Sequence, residues 1–208
     1  VFDYARVPAE WTLVDGGRHT ADATGGGVTF RLQSDMALGI ARCFGIRLPA
    51  NFDSPLKASS IIDFWLRWHM TLTRFLTAYL YNPIVLALTR RRLARGRPAA
   101  GSRSFDFGAF VQLLAAPTIL TMAVSGLWHG AGYLFIAWGL LHGIYLVINH
   151  AWRQLVARRV ADKARYERVM RPLGFVLTFI AVAVAMVLFR ADSAAAAKEL
   201  LQGMAGLN

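Results

Sequence analysis

At 208 residues the chain has the length of one domain or two, but 56% hydrophobic residues and a mean hydropathy of +0.41 argue against an ordinary soluble globule. The net charge of +11 sits in arginine clusters beside the apolar segments with few aromatics interleaved, which fits membrane topology and anionic-lipid contact and argues against nucleic acid as a partner. The lone Cys43 excludes an internal disulfide.

Residues 1–30 read as a polar N-terminal extension. Asp15-Gly16-Gly17 and Gly25-Gly26-Gly27 are turn signals, and an ordered hairpin is the most to expect there. No basic leader with an apolar core and cleavage site is present in this stretch, so insertion is expected to depend on internal helices. The triple glycine lacks a following Lys-Ser or Lys-Thr and so does not make a phosphate loop. From Ser34 to Phe44 a short helix is expected, with Met36, Ile40 and Phe44 on one side and Gly45 as its stop.

Over residues 60–82, at about 100° per residue, Ile61, Trp65, Trp68, Leu72, Leu76 and Tyr79 fall on one stripe. Asp63, Arg67 and Arg74 gather opposite. The pattern predicts one amphipathic helix, lying at an interface or lining a polar cavity. His69 stands on the shoulder of the apolar stripe. Pro83 predicts a kink or stop, and the arginine-rich segment to Arg103 a loop.

From Phe107 to Trp152 the chain runs 46 residues without Asp, Glu, Lys or Arg. Because a crossing needs about 20 apolar residues, this run predicts two spans, about 107–127 and 132–150, folded back near Trp128-His129-Gly130. A third span is expected at about 172–189, after a charged helical connector over 151–171. Arg90, Arg91, Arg92, Arg95, Arg97 and Arg103 on one side of the long run, and Arg153, Arg158, Arg159, Lys163, Arg165, Arg168 and Arg171 on the other, both read as cytoplasmic. Ser193 is expected to cap a last helix over Ala194 to Met204. The fold class is therefore all-α, a multi-pass helical membrane protein with amphipathic or re-entrant helices.

Of the five histidines, His19 and His150 read as solvated or interfacial, and His142 as a hydrogen-bonding partner for a neighbouring helix. His129 has the stronger claim to chemistry. It is a titratable group at a break in a membrane chain, with Gly126, Gly130 and Gly132 around it. The residues alone leave this even with a histidine that satisfies backbone groups at a turn. Metal-ligand spacing does not occur, so no metal is expected. Ser125, in Ala123-Val124-Ser125-Gly126-Leu127, does not form a nucleophile elbow.

Ser34-Asp35-Met36-Ala37-Leu38-Gly39-Ile40-Ala41-Arg42, Phe44-Gly45, Asn51-Phe52, Phe64-Trp65-Leu66-Arg67-Trp68-His69 and Leu127-Trp128-His129-Gly130-Ala131 follow one another along the chain. Taken together, these motifs resemble the membrane-bound O-acyltransferase family, in its bacterial branch of alginate O-acetyltransferases and D-alanyl transfer proteins. Trp138-Gly139-Leu140-Leu141-His142-Gly143 and Phe189-Arg190-Ala191 extend the likeness to roughly residues 34–192, which looks like a C-terminal portion. The resemblance implies catalytic His129 and His69, with Trp128, Trp68, Arg67 and Asp35 lining the substrate site. It implies no bound cofactor but an acyl thioester donor, acetyl-CoA or acyl carrier protein, and a cell-envelope hydroxyl as acceptor. The location it implies is the bacterial inner membrane. Leu32-Gln33 and Arg74-Phe75 depart from the family pattern. A second reading stays open, a non-catalytic conduit or partner subunit for a periplasmic acyltransferase, and a third is an inactive fragment.

Overall fold

The computed structural model describes residues 35–98, 105–156 and 159–207, and the 1–30 extension lies outside them. Among the described residues every regular element is helical: α1 (residues 35–43), α2 (Ile61–Arg67), α3 (Met70–Leu76), α4 (Asn82–Ala94), α5 (Phe107–Phe110), α6 (Ala116–His129), α7 (Tyr133–Leu155), α8 (Lys163–Arg190) and α9 (Ala194–Met204). Three continuous helical stretches, Phe107–His129, Tyr133–Leu155 and Lys163–Arg190, are long and apolar enough to cross a membrane. This is an all-α membrane protein.

Two stretches depart from the pattern that side-chain periodicity predicts. The single amphipathic helix expected over 60–82 is broken at Trp68 and His69, where the backbone turns extended (φ −104°, ψ 129°) and then left-handed (φ 45°, ψ 49°). Non-local backbone bonds cause the break: Asp53 N–H donates to the Arg67 carbonyl at 2.8 Å and Met70 N–H to the Asn51 carbonyl at 2.9 Å. Nor does the chain become a loop at Pro83. A π turn over Thr77–Tyr81 carries α3 into α4, whose first turn holds Pro83, and the helix runs on to Ala94 before Gly96 (φ 68°) ends it. A second π turn, Val111–Ala115, precedes Pro117 in the same way. Proline removes an amide donor and crowds the carbonyl four residues back, and a widened turn absorbs both effects. In the second case the Leu113 carbonyl accepts from the Tyr81 hydroxyl at 3.5 Å.

The connector expected over 151–171 is shared out between helices. α7 runs to Leu155, and α8 starts at Lys163, capped by the Asp162 carboxylate accepting from the Arg165 amide at 2.9 Å, and continues through Pro172. Ser193 caps α9 as its sequence predicts, accepting from the Ala196 amide at 3.1 Å.

Helices α6 and α7 form a tight antiparallel hairpin turned by Gly130, Ala131 and Gly132. A Cβ at Gly139 would run into the Met122 carbonyl and one at Gly126 into the Phe135 carbonyl, so the two backbones touch. Small residues allow this approach, the main source of helix association where lipid gives no hydrophobic drive. α8 packs on α7, and α2 lies between them. Ile61, Phe64 and Trp65 share one core with Met122, Trp138, Val182 and Ala185. The start of α2 sits against α8 at Gly174, where a Cβ would strike the Ser59 carbonyl. Gly174 is 15 residues, or about 22 Å, from Phe189 along α8. Thus α2 is a short helix that buries Ile61, Phe64 and Trp65 in the bundle and leaves Leu66 exposed on its other side.

Candidate active site

The end of α2 delivers His69 to the turn of the α6–α7 hairpin, where α6 finishes on His129. Their ring centroids are 6.2 Å apart. Aromatic rings enclose the pair: Phe52 lies 4.8 Å and Trp68 5.7 Å from His69, and Phe189 4.9 Å and Trp138 5.3 Å from His129. Trp128 reaches both, 4.9 Å from His129 and 6.5 Å from His69. Both histidines are half-buried, while Trp128 is 63% exposed, so the site is walled by rings yet open at one side.

His69 holds a left-handed backbone conformation that a non-glycine residue adopts at a cost of roughly 1–2 kcal/mol. Such strain persists only where surroundings impose it and often marks a functional position. Here Asn51 imposes it. Besides the backbone pairing, the Asn51 side chain accepts from the Thr71 amide at 3.1 Å and the Thr71 hydroxyl at 2.8 Å. Its Nδ2 donates to His69 Nδ1 at 3.2 Å. Burial, and then the neighbouring His129, push the His69 pKa below its ordinary value and keep the ring neutral.

α2 itself is braced beside the site. Ser60 accepts from the Asp63 amide at 3.1 Å, Asp63 accepts from the Ser59 amide at 3.2 Å, and the Arg67 guanidinium donates to Asp63 at 2.8 Å. Arg67 also lies 3.9 Å from the Asp53 carboxylate. Read as a substrate-binding residue in the sequence, Arg67 is here engaged in fastening α2 to the 51–53 segment. Deeper in the bundle His142, fully buried, takes its expected role: Trp65 Nε1–H donates to His142 Nδ1 at 3.3 Å, bonding α2 to α7.

Of the residues singled out in the sequence, His129, His69, Trp128 and Trp68 come together. The contacts that build the site come from residues 51–69, 128–138 and 189, and Asp35, at the start of α1, is not among them. Asn51 was visible only as part of a motif; nothing local to it signals a bond to a ring 18 residues away.

No family model matches the chain. It is nevertheless similar over most of its length to three kinds of curated protein. It is 40% identical to a peptidoglycan O-acetyltransferase of Helicobacter pylori, over 84% of this chain and 28% of that protein. It is 34% identical to a probable alginate O-acetylase of Pseudomonas aeruginosa, over 82% of this chain and 27% of that protein. It is 30% identical to a teichoic acid D-alanyltransferase of Streptococcus thermophilus, over 75% and 36% respectively. The chain belongs to the membrane-bound O-acyltransferase family. It spans about a third or less of these relatives' length.

Proposed function

We propose that this chain carries the reaction centre of a bacterial inner-membrane, multi-pass O-acyltransferase. It moves an acyl group, acetyl in the simplest case, from a thioester of coenzyme A or acyl carrier protein to a hydroxyl of a cell-envelope polysaccharide. The observation that carries the reading is the His69–His129 pair, 6.2 Å between ring centres, inside an aromatic enclosure at the turn between two apolar helices. The relatives' names supply the reaction class.

In this reading His129 is the general base. A neutral imidazole, with an ordinary pKa near 6.5, can take a proton at neutral pH from a hydroxyl within hydrogen-bond reach. The freed oxygen attacks the thioester carbonyl, and the negative charge that gathers on the carbonyl oxygen is met by a ring N–H of His69. Collapse of the tetrahedral adduct breaks the carbon–sulfur bond. The departing thiolate takes the proton from His129, leaving an ester, a free thiol and the base restored. The aromatic walls narrow the side from which water, a competing acceptor, could approach.

The fold also constrains how the two substrates arrive. α4 ends, α7 ends and α8 begins at the basic end of the bundle, where Arg92 on α4 binds Asp106 just before α5. His129 lies at the other end, 22 residues or about 33 Å along the Phe107–His129 stretch. With the basic end in the cytoplasm, the acceptor meets the histidines from outside and the donor extends its acyl arm through the bundle towards them. Transfer of labelled acyl groups by the full-length protein in vesicles tests the reading. His129→Ala should lower turnover about 10³-fold or more, and unchanged turnover in a correctly inserted variant would exclude this base.

A further inference from the structure

We propose that Asn51 is a positioning residue that fixes the tautomer of His69, holding its Nε2 as the N–H donor of the site. The inference rests on the acyltransferase reading for its catalytic consequence, but the chemistry of the lock is legible from the hydrogen bonds alone. A side-chain amide has an acceptor end and a donor end, and which is which here is decided by a group that cannot adapt. The Thr71 backbone N–H can only donate, so the Asn51 atom facing it at 3.1 Å must be the carbonyl oxygen. The Thr71 hydroxyl donates to the same oxygen at 2.8 Å. The other end of the amide is then NH2, and it faces His69 Nδ1 at 3.2 Å. A donor facing Nδ1 requires Nδ1 to carry the lone pair. In a neutral imidazole the single ring proton therefore sits on Nε2.

The sequence of constraints runs from backbone to catalyst: Thr71 amide, Asn51 oxygen, Asn51 NH2, His69 Nδ1, His69 Nε2–H. It also divides the labour between two chemically identical side chains. His69 is restricted to donating from Nε2, which suits a developing oxyanion, whereas among the described residues no such amide is bonded to His129, which is left to act as base. The same Asn51 holds the strained turn, because its backbone carbonyl accepts from Met70 N–H at 2.9 Å. Its depressed basicity supports the assignment: a neutral His69 donates one proton in a fixed direction, whereas a protonated ring would donate from both nitrogens and repel the Asn51 NH2.

Asn51→Asp separates the lock from the scaffold. A carboxylate can still accept from both Thr71 donors and leaves the backbone pairing in place, but it offers His69 an acceptor instead of a donor. The expected result is inversion of the tautomer, with the proton drawn to Nδ1, and a fall in kcat of about 100-fold, the scale of losing one oxyanion donor, at a KM for the acyl donor changed by less than about twofold. The direct readout is the ¹⁵N spectrum of histidine-labelled full-length protein in lipid nanodiscs, with the His69 signals assigned by their loss in His69→Gln. A proton on Nε2 in the parent and on Nδ1 in Asn51→Asp supports the lock. A parent ring protonated on Nδ1, or an Asn51→Asp variant that keeps both the parent tautomer and the parent kcat, overturns it. If the parent shows the Nε2–H tautomer yet transfers no acyl group from any thioester offered, the lock stands and the acyltransferase reading fails.

Discussion

At the basic end of the bundle, Arg92 is 95% buried and spends its guanidinium on fixed acceptors: Asp106 at 2.8 Å, Gln112 at 3.0 Å and the Pro98 carbonyl at 3.4 Å. At the opposite end, two half-buried imidazoles stand among rings, one of them, His69, tied by the Asn51 amide. Both ends join segments distant in sequence. The basic end does so by charge-assisted bonds, and the histidine end by a neutral bond between the Asn51 amide and His69, with the two imidazole rings 6.2 Å apart. Mutation should therefore separate stability from activity, end by end.

Of the variants that test this contrast, His69→Gly should have the larger effect. Removing the ring removes the proposed oxyanion donor, and turnover should fall about 10²–10³-fold. Stability should move by less than about 1 kcal/mol, because glycine relieves the left-handed backbone while the lost ring contacts oppose it. Circular dichroism melting together with the acyl-transfer assay checks both. A large loss of stability with normal turnover per folded molecule would make His69 a structural residue and erase the contrast between the ends.

Arg92→Met is the converse, with a smaller effect. The methionine fills part of the buried volume but leaves Asp106, Gln112 and the Pro98 carbonyl without the guanidinium donor. The melting temperature should fall by about 5 °C, while turnover per inserted molecule stays within about twofold, since Arg92 is on the order of 30 Å from the histidines. Loss of turnover at unchanged stability would bring the basic end into the reaction, for instance as a grip on the donor's phosphates.

How much of this contrast a reader of the sequence could have seen depends on how local each feature is. The turn at His129 follows from apolar run length, the α9 cap from Ser193 at a helix start, and the tie of His142 to another helix from a polar ring in an apolar stretch. Each is settled by a few neighbouring residues. The break at Trp68–His69 is not, because the periodicity of Ile61, Trp65 and Trp68 counts side chains and is blind to Asn51 and Asp53 taking over the backbone bonds of residues 67–71. The position of α2 inside the bundle, and not at its surface, depends on Ser59 meeting Gly174 across 115 residues of chain. The fastening of Arg67 to Asp63 and Asp53, 4 and 14 residues away, depends on the break that turns the 51–53 segment against the end of α2.

Acid should loosen the two ends in order, and the direction follows from the two pKa shifts. His69 is held below its ordinary value of 6.5 by burial and then by His129, so the folded state resists a proton that the unfolded chain accepts. Stability from this group is complete above pH 6.5 and is lost as pH falls from there towards the lowered native pKa. Asp106 is also held below its ordinary 3.8, first by the Ala109 amide and with help from Arg92, so its contribution is complete above that value and is lost only at lower pH. The Thr71 amide reports the first event, being bonded to Asn51, and the Ala109 amide the second, being bonded to Asp106 at 3.0 Å. Hydrogen exchange of these two amides between pH 7 and pH 4, corrected for intrinsic rates, should show Thr71 losing protection while Ala109 keeps it. In His69→Gly the Thr71 loss should flatten, because the group that gains the proton is gone. Simultaneous loss at both amides would mean that the ends unfold as one unit, and the separation between a fastening end and a reacting end would then describe the chemistry without describing the mechanics.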